Sequence, residues 1–194
     1  MAQLLTTEFP HCTVNEASTA AEGLEAIWNE SWNLVLLDIS LPGRNGLELL
    51  KEIKAARPKL PVLILSTYPE SQFATRVLKA GAAGYLTKES PPETVIRAIR
   101  QVLTGGKFIS PWVAERLASE IMLDTSKPAH ELLSDREYDV MLRIASGQAV
   151  GEIANTLNLS VKTISTYRTR ILEKMGMKNN AELMQYAIRN TLIE

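Results

Sequence analysis

Hydrophobic positions in the first hundred residues follow two spacings. Apolar runs occur at 34–37 (LVLL) and, closed by a serine, at 61–66 (PVLILS), with a shorter one at 84–86. Runs of this length, bounded by turn residues, predict strands buried on both faces, as a parallel sheet requires. Over Ala20–Asn29, 47–56, 71–80 and Pro92–Leu103 the apolar positions fall at helical spacing instead, and Pro58, Gly81 and Gly105-Gly106 close the last three. Residues 13–17 form one more short strand candidate. Strands alternating with helices predict a parallel sheet with helices on both faces, whose ligands bind at the carboxyl ends of the strands.

The pattern changes at Pro111. An amphipathic helix is predicted over 112–122, a polar proline-containing linker over 124–131 (DTSKPAHE), and only helices afterwards. The expected organisation is a domain at 1–106, a connecting helix and linker at 107–131, and an all-α domain at 132–194. In the last of these a helix at 151–157 is joined by Asn158-Leu159 to a second helix that Ser160 can cap. So tight a turn predicts a helix-turn-helix. Val161, Ile164, Tyr167, Ile171, Leu172 and Met175 share its inner face, and Lys162, Ser165, Thr166, Thr169 and Arg170 its outer one. Short polar and cationic side chains of this kind suit base edges and phosphates in a major groove. Arg168, Lys174 and Lys178 add charge, with Glu173 the only acid between Lys162 and Lys178. Arg168 falls near the inner face by angle and is expected to extend outward to a phosphate. Leu183, Met184, Ala187 and Ile188 on the last helix form a face that either pairs two copies or packs within one domain.

Overall charge does not announce nucleic acid: the net value is -1, so any DNA-binding face is local. No stretch approaches the roughly 18 apolar residues of a membrane span, and no basic-then-apolar segment opens the chain, so a cytoplasmic protein is expected. The single cysteine, Cys12, allows no internal disulfide. With His11 it is read as a surface loop rather than a metal site.

Chemistry concentrates at one sheet edge. Asp38 ends the first apolar run, ahead of a Pro-Gly turn at 42–43; Ser66 ends the second, and Lys88 follows the third. A carboxylate that accepts a phosphoryl group needs its new charge neutralised, and a hydroxyl and an ammonium on neighbouring strand ends fit that task. In LLDISLPGRNGLELL, VLILST and AGAAGYLTKES the sequence resembles the receiver domain of bacterial response regulators, from about Leu4 to Gly106. The resemblance implies a flavodoxin-like fold with Asp38 as phosphoacceptor, Ser66 as switch hydroxyl, Lys88 as phosphate-binding lysine and Tyr85 as switch aromatic. It also implies Mg2+ held by Asp38 and the main-chain carbonyl of Ser40, and a sensor histidine kinase as phosphodonor.

The segment LSDREYDVM, GEIANTLNLSVKTISTYRTRILEKMGM and AELMQYAIRNTLI resembles the four-helix LuxR-type DNA-binding domain, so the whole chain resembles a NarL/FixJ-type response regulator. This implies double-stranded DNA as a partner, a homodimer, no membrane and no enzymatic role. DNA contacts fall on Lys162, Ser165, Thr166, Arg168, Thr169, Arg170 and Lys174. One departure is that receivers open with an apolar strand ending in two acids that hold the metal. Here AQLLTTEFP resembles the helix that follows that strand, and Glu8 and Glu16 do not replace the acids. The expectation is an N-terminally truncated receiver, the alternative a damaged one. Rival functions are a phosphate-independent DNA-binding regulator, a protein-binding adaptor and an aspartyl phosphohydrolase, although Ser40 stands where such enzymes carry a second aspartate.

Overall fold

A computed structural model describes residues 1–41, 44–122 and 128–193. The expected turn at 42–43 and the linker residues at 124–127 lie outside the described residues. The chain forms two units, one comprising Met1–Leu41 and Gly46–Ala114, the other running from Glu115 onward.

In the first unit β1 (Val35–Asp38), β2 (Val62–Ser66) and β3 (Gly84–Thr87) form a parallel sheet in the order β1-β2-β3. The central β2 is buried at every position, which is why its sequence is continuously apolar. Its alternate residues serve two faces. Leu63 and Leu65 join Leu86 and the buried side of α5 (Pro92–Leu103), with Leu4, Leu5 and Phe9 of the α1 (Ala2–Glu8) region packed alongside. Val62, Ile64 and Tyr85 look the other way. That face is covered by α3 (Gly46–Ala56) and α4 (Glu70–Lys79), while α2 (Ala20–Asn29) packs on α3. At α2, Thr19 and Glu22 complete a capping box.

The expected strand at 13–17 does not form. Strands are held by pairing, and among the described residues β1 is bonded to β2 on one side only. Residues 13–17 make no ladder with that open edge and line a groove of about 230 Å3 beside β1 instead. Asn15, Ala17 and Gly23 line one wall of it and residues 34–37 the other. Both the odd and the even residues of β1 face this groove, which marks it as the strand's open edge.

Helix α6 (Pro111–Met122) starts in the first unit and ends in the second, where α7 (Asp135–Ala145), α8 (Val150–Leu157), α9 (Val161–Met175) and α10 (Asn180–Arg189) follow. Val140, Met141, Ile144, Ile153, Ile164, Ile171, Leu183 and Ala187 make its core. The last residues assigned to the linker, 128–131, are not extended: Ala129–Leu132 form a 3₁₀ turn that buries His130, whose Nδ1 lies 2.9 Å from the Tyr186 hydroxyl. Leu183 and Ala187 are core, so the expected pairing face on α10 reduces to the exposed Met184 and Ile188. Among the described residues no helix is long and apolar enough to cross a membrane.

Candidate phosphoacceptor site and nucleic-acid interface

The parallel register brings the three strand ends to one level, with Asp38 opposite Leu65 and Ser66 opposite Thr87. Lys88 follows directly, its N–H donating to Ser66 O at 2.7 Å. From there its Nζ reaches Asp38 Oδ2 at 2.6 Å, while Asp38 Oδ1 accepts the Ser40 N–H at 2.8 Å. Both head groups remain open to solvent, with side-chain exposures of 28% for Asp38 and 44% for Lys88. The arrangement presents a carboxylate with its counter-cation already in place.

Ser66 and Tyr85 form a second, buried layer. Ser66 is fully buried, and its Oγ accepts the Tyr68 N–H at 3.0 Å. The Tyr85 hydroxyl donates to Tyr68 O at 2.7 Å. Burial raises the Tyr85 phenol far above its ordinary range, against the effect of its hydrogen bond with Ser66. The structure thus joins Asp38 to Lys88 and Ser66 to Tyr85, the latter pair clasping one residue, Tyr68, by its N–H and its carbonyl.

Magnesium fits the described residues poorly. It takes one or two carboxylates in an octahedral oxygen shell, and here Asp38 offers one, with both oxygens already bonded. Among the described residues no three His, Cys, Asp or Glu side chains gather as a metal cluster.

In the second unit Asn158 adopts the left-handed conformation (φ 54°, ψ 46°) to end α8, and the Leu159 N–H returns to Ala154 O at 2.9 Å. Ser160 then caps α9, its Oγ accepting the Thr163 N–H at 3.0 Å. Ile164, Ile171, Leu172 and Met175 are buried and Tyr167 is half-buried, while Lys162, Ser165, Thr166, Thr169 and Arg170 are exposed. Three expectations need correction. Val161 is not inward: at the first position of α9, directly after the Ser160 cap, it is 56% exposed. Arg168 is half-buried and does not simply extend outward: its Nε donates to Asn180 Oδ1 at 2.7 Å. Lys174 Nζ lies 2.6 Å from Glu137 Oε2, so its charge is directed into the domain.

Glu137 was missed by sequence reasoning, although S-x-x-E at Ser134 is a visible capping-box signal. Burial alone would raise its carboxyl, but hydrogen bonds from Lys174 and Ser134 bring it below the usual range. Asp139 goes the other way: burial raises it against Arg143, 2.9 Å distant, and Arg136.

Residues 1–100 match the response regulator receiver domain family, and residues 131–187 match the bacterial regulatory proteins of the luxR family. Over 180 residues the chain is 36% identical to the response regulator UvrY of Escherichia coli K12, covering 92% of this chain and 83% of that protein. It is 37% identical over 163 residues to the response regulator GacA of Pseudomonas aeruginosa, covering 84% and 76%. RcsB of Salmonella enterica serovar Typhimurium, in a structure bound to the rprA promoter, shares the fold: TM-score 0.60, 24% identity, with 95% and 89% of the two chains covered.

Proposed function

Because this chain belongs to the DNA-binding two-component response regulators that join a receiver to a LuxR-type helix-turn-helix, we propose that Asp38 is its phosphoacceptor and α9 its DNA-reading helix. The observation that supports this reading best is the Lys88–Asp38 contact at 2.6 Å across two strand ends. A carboxylate oxygen of Asp38 attacks phosphorus, the P–O bond forms, and the P–N bond of a phosphohistidine on a sensor histidine kinase breaks. Lys88 neutralises charge that gathers on the phosphoryl oxygens.

Ser66 and Tyr85 act as the switch. Phosphate at Asp38 draws the Ser66 hydroxyl away from the Tyr68 N–H and so alters the hold on Tyr68 that Tyr85 shares. A bound phosphoryl group acts only through such a difference between two conformations. On α9, Lys162, Ser165, Thr166, Thr169 and Arg170 face double-stranded DNA; Arg168 and Lys174 position the helix by fastening it to α10 and α7. The acting form is a cytoplasmic homodimer, and the chain is a regulator rather than an enzyme.

The test is phosphoryl incorporation from a phosphorylated sensor kinase or acetyl phosphate, read on a phosphate-affinity gel beside a gel shift with genomic fragments. The wild-type protein is expected to take one hydroxylamine-labile phosphoryl group and to bind DNA more tightly; Asp38→Asn is expected to take none. Equal incorporation in both proteins would remove Asp38 from the role. A second reading, DNA binding independent of phosphate, draws on the single carboxylate available to a metal. It predicts a gel shift that neither donor changes.

A further inference from the structure

We infer that Val161, on the first turn of α9, reads the 5-methyl group of a thymine in the major groove. The inference rests on the DNA-facing role proposed for α9 and specifies what that helix recognises.

Most apolar side chains of α9 are accounted for by the core: Ile164 and Ile171 are fully buried and Leu172 and Met175 nearly so. Val161 stands apart at 56% exposure. A β-branched residue lowers helix propensity, and this one gains little packing within its own domain in return. Its position is the one from which a recognition helix touches base edges, the amino-terminal turn.

The neighbouring polar groups narrow what this turn can read. The Ser160 hydroxyl is engaged in the cap and shares a 2.8 Å bond with Thr163 Oγ1. Thr166 Oγ1 donates to Lys162 O at 3.0 Å, and Thr169 Oγ1 donates to Ser165 O at 3.2 Å. With those protons committed to the helix backbone, the threonines offer methyl groups and acceptor lone pairs rather than hydroxyl donors. The thymine methyl is the one apolar group that base edges display in the major groove. Lys162 lies beside Val161 and is exposed. Its ammonium suits guanine O6 and N7. Together they read a thymine next to a guanine.

The test uses the full chain. Duplexes with a randomised centre are selected at low salt, and each thymine of the selected site is replaced singly by deoxyuridine, which removes only the methyl group. Affinities are measured by fluorescence anisotropy for the wild-type protein and Val161→Ala. At one thymine per half-site the wild type is expected to lose about fourfold, the worth of one buried methyl, while Val161→Ala loses nothing there. Both proteins are expected to melt at the same temperature and to show the same salt dependence, since no core or phosphate contact changes. An equal uridine penalty in both proteins, or no penalty at any thymine, would overturn the role of Val161. Failure of both proteins to retain any duplex would overturn the DNA-facing reading of α9 as well.

Discussion

Replacing Lys174 with methionine keeps the aliphatic stem and removes the charge, which separates a folding role from a DNA role. Lys174 Nζ is 2.6 Å from Glu137 Oε2, with side-chain exposures of 43% and 5%. A hydrogen bond to a charged partner contributes about 1.5–3 kcal/mol when shielded, and exposed pairs about 0.2–1 kcal/mol. Solvent screening at the half-exposed ammonium places this pair near the junction of the two ranges, about 1 kcal/mol. Glu137 keeps its 2.8 Å bond from the Ser134 N–H, so the variant leaves no orphaned carboxylate. For a unit of this size the expected loss is about 4–8 °C in Tm. Calorimetry on Lys174→Met, Glu137→Gln and the double variant should return a coupling of about 1 kcal/mol. The slope of log K against log salt for DNA should stay unchanged, whereas loss of a phosphate contact would reduce it by about 0.9. An unchanged melt together with a reduced slope would refute the structural assignment and put Lys174 on the DNA.

Ser160→Ala should destabilise the second unit by about 1 kcal/mol through loss of the α9 cap, seen as a lower Tm. Gly84→Val should destabilise the first unit alone, because a Cβ there meets Phe108 O at 2.7 Å and Leu63 Cδ1 at 2.8 Å; two-transition calorimetry would show the first unit's transition shifting while the second stays. Lys88→Met should slow phosphoryl transfer to Asp38 by at least tenfold in a single-turnover assay, with the fold intact by circular dichroism. The Glu137 carboxyl lies below its ordinary 4.5 when folded, so its contribution is fully present above that value and lost as pH falls through the lower, folded value. Melts recorded from about pH 3 to pH 6 should show the second unit weakening below its unfolded carboxylate range, less steeply in Lys174→Met.

The sequence made the strand ends legible because apolar runs stop where solvent begins: Asp38, Ser66 and Lys88 each follow such a run, and the parallel register aligns them. Residues 13–17 form no strand because a short local segment carries no information about the ladder it must join. Val161 was misassigned because a helical wheel gives an angle, while burial also depends on how far the neighbouring helices extend. The Lys174–Glu137 pair joins residues 37 apart in sequence, beyond the reach of any local pattern. The buried Ser66–Tyr85 layer was legible as residue types but not as a shared grip on Tyr68.

The bare margin of β1 bears on how the protein behaves in concentrated solution. Nature commonly guards such rims with lysine, proline or a bulge, and LVLL at 34–37 carries none of these. Among the described residues no strand pairs with this rim, and its amides and carbonyls above a greasy floor make a template on which foreign chains can stack. Stacking at this rim is the expected route by which the chain clouds under crowding below the temperature at which either unit melts.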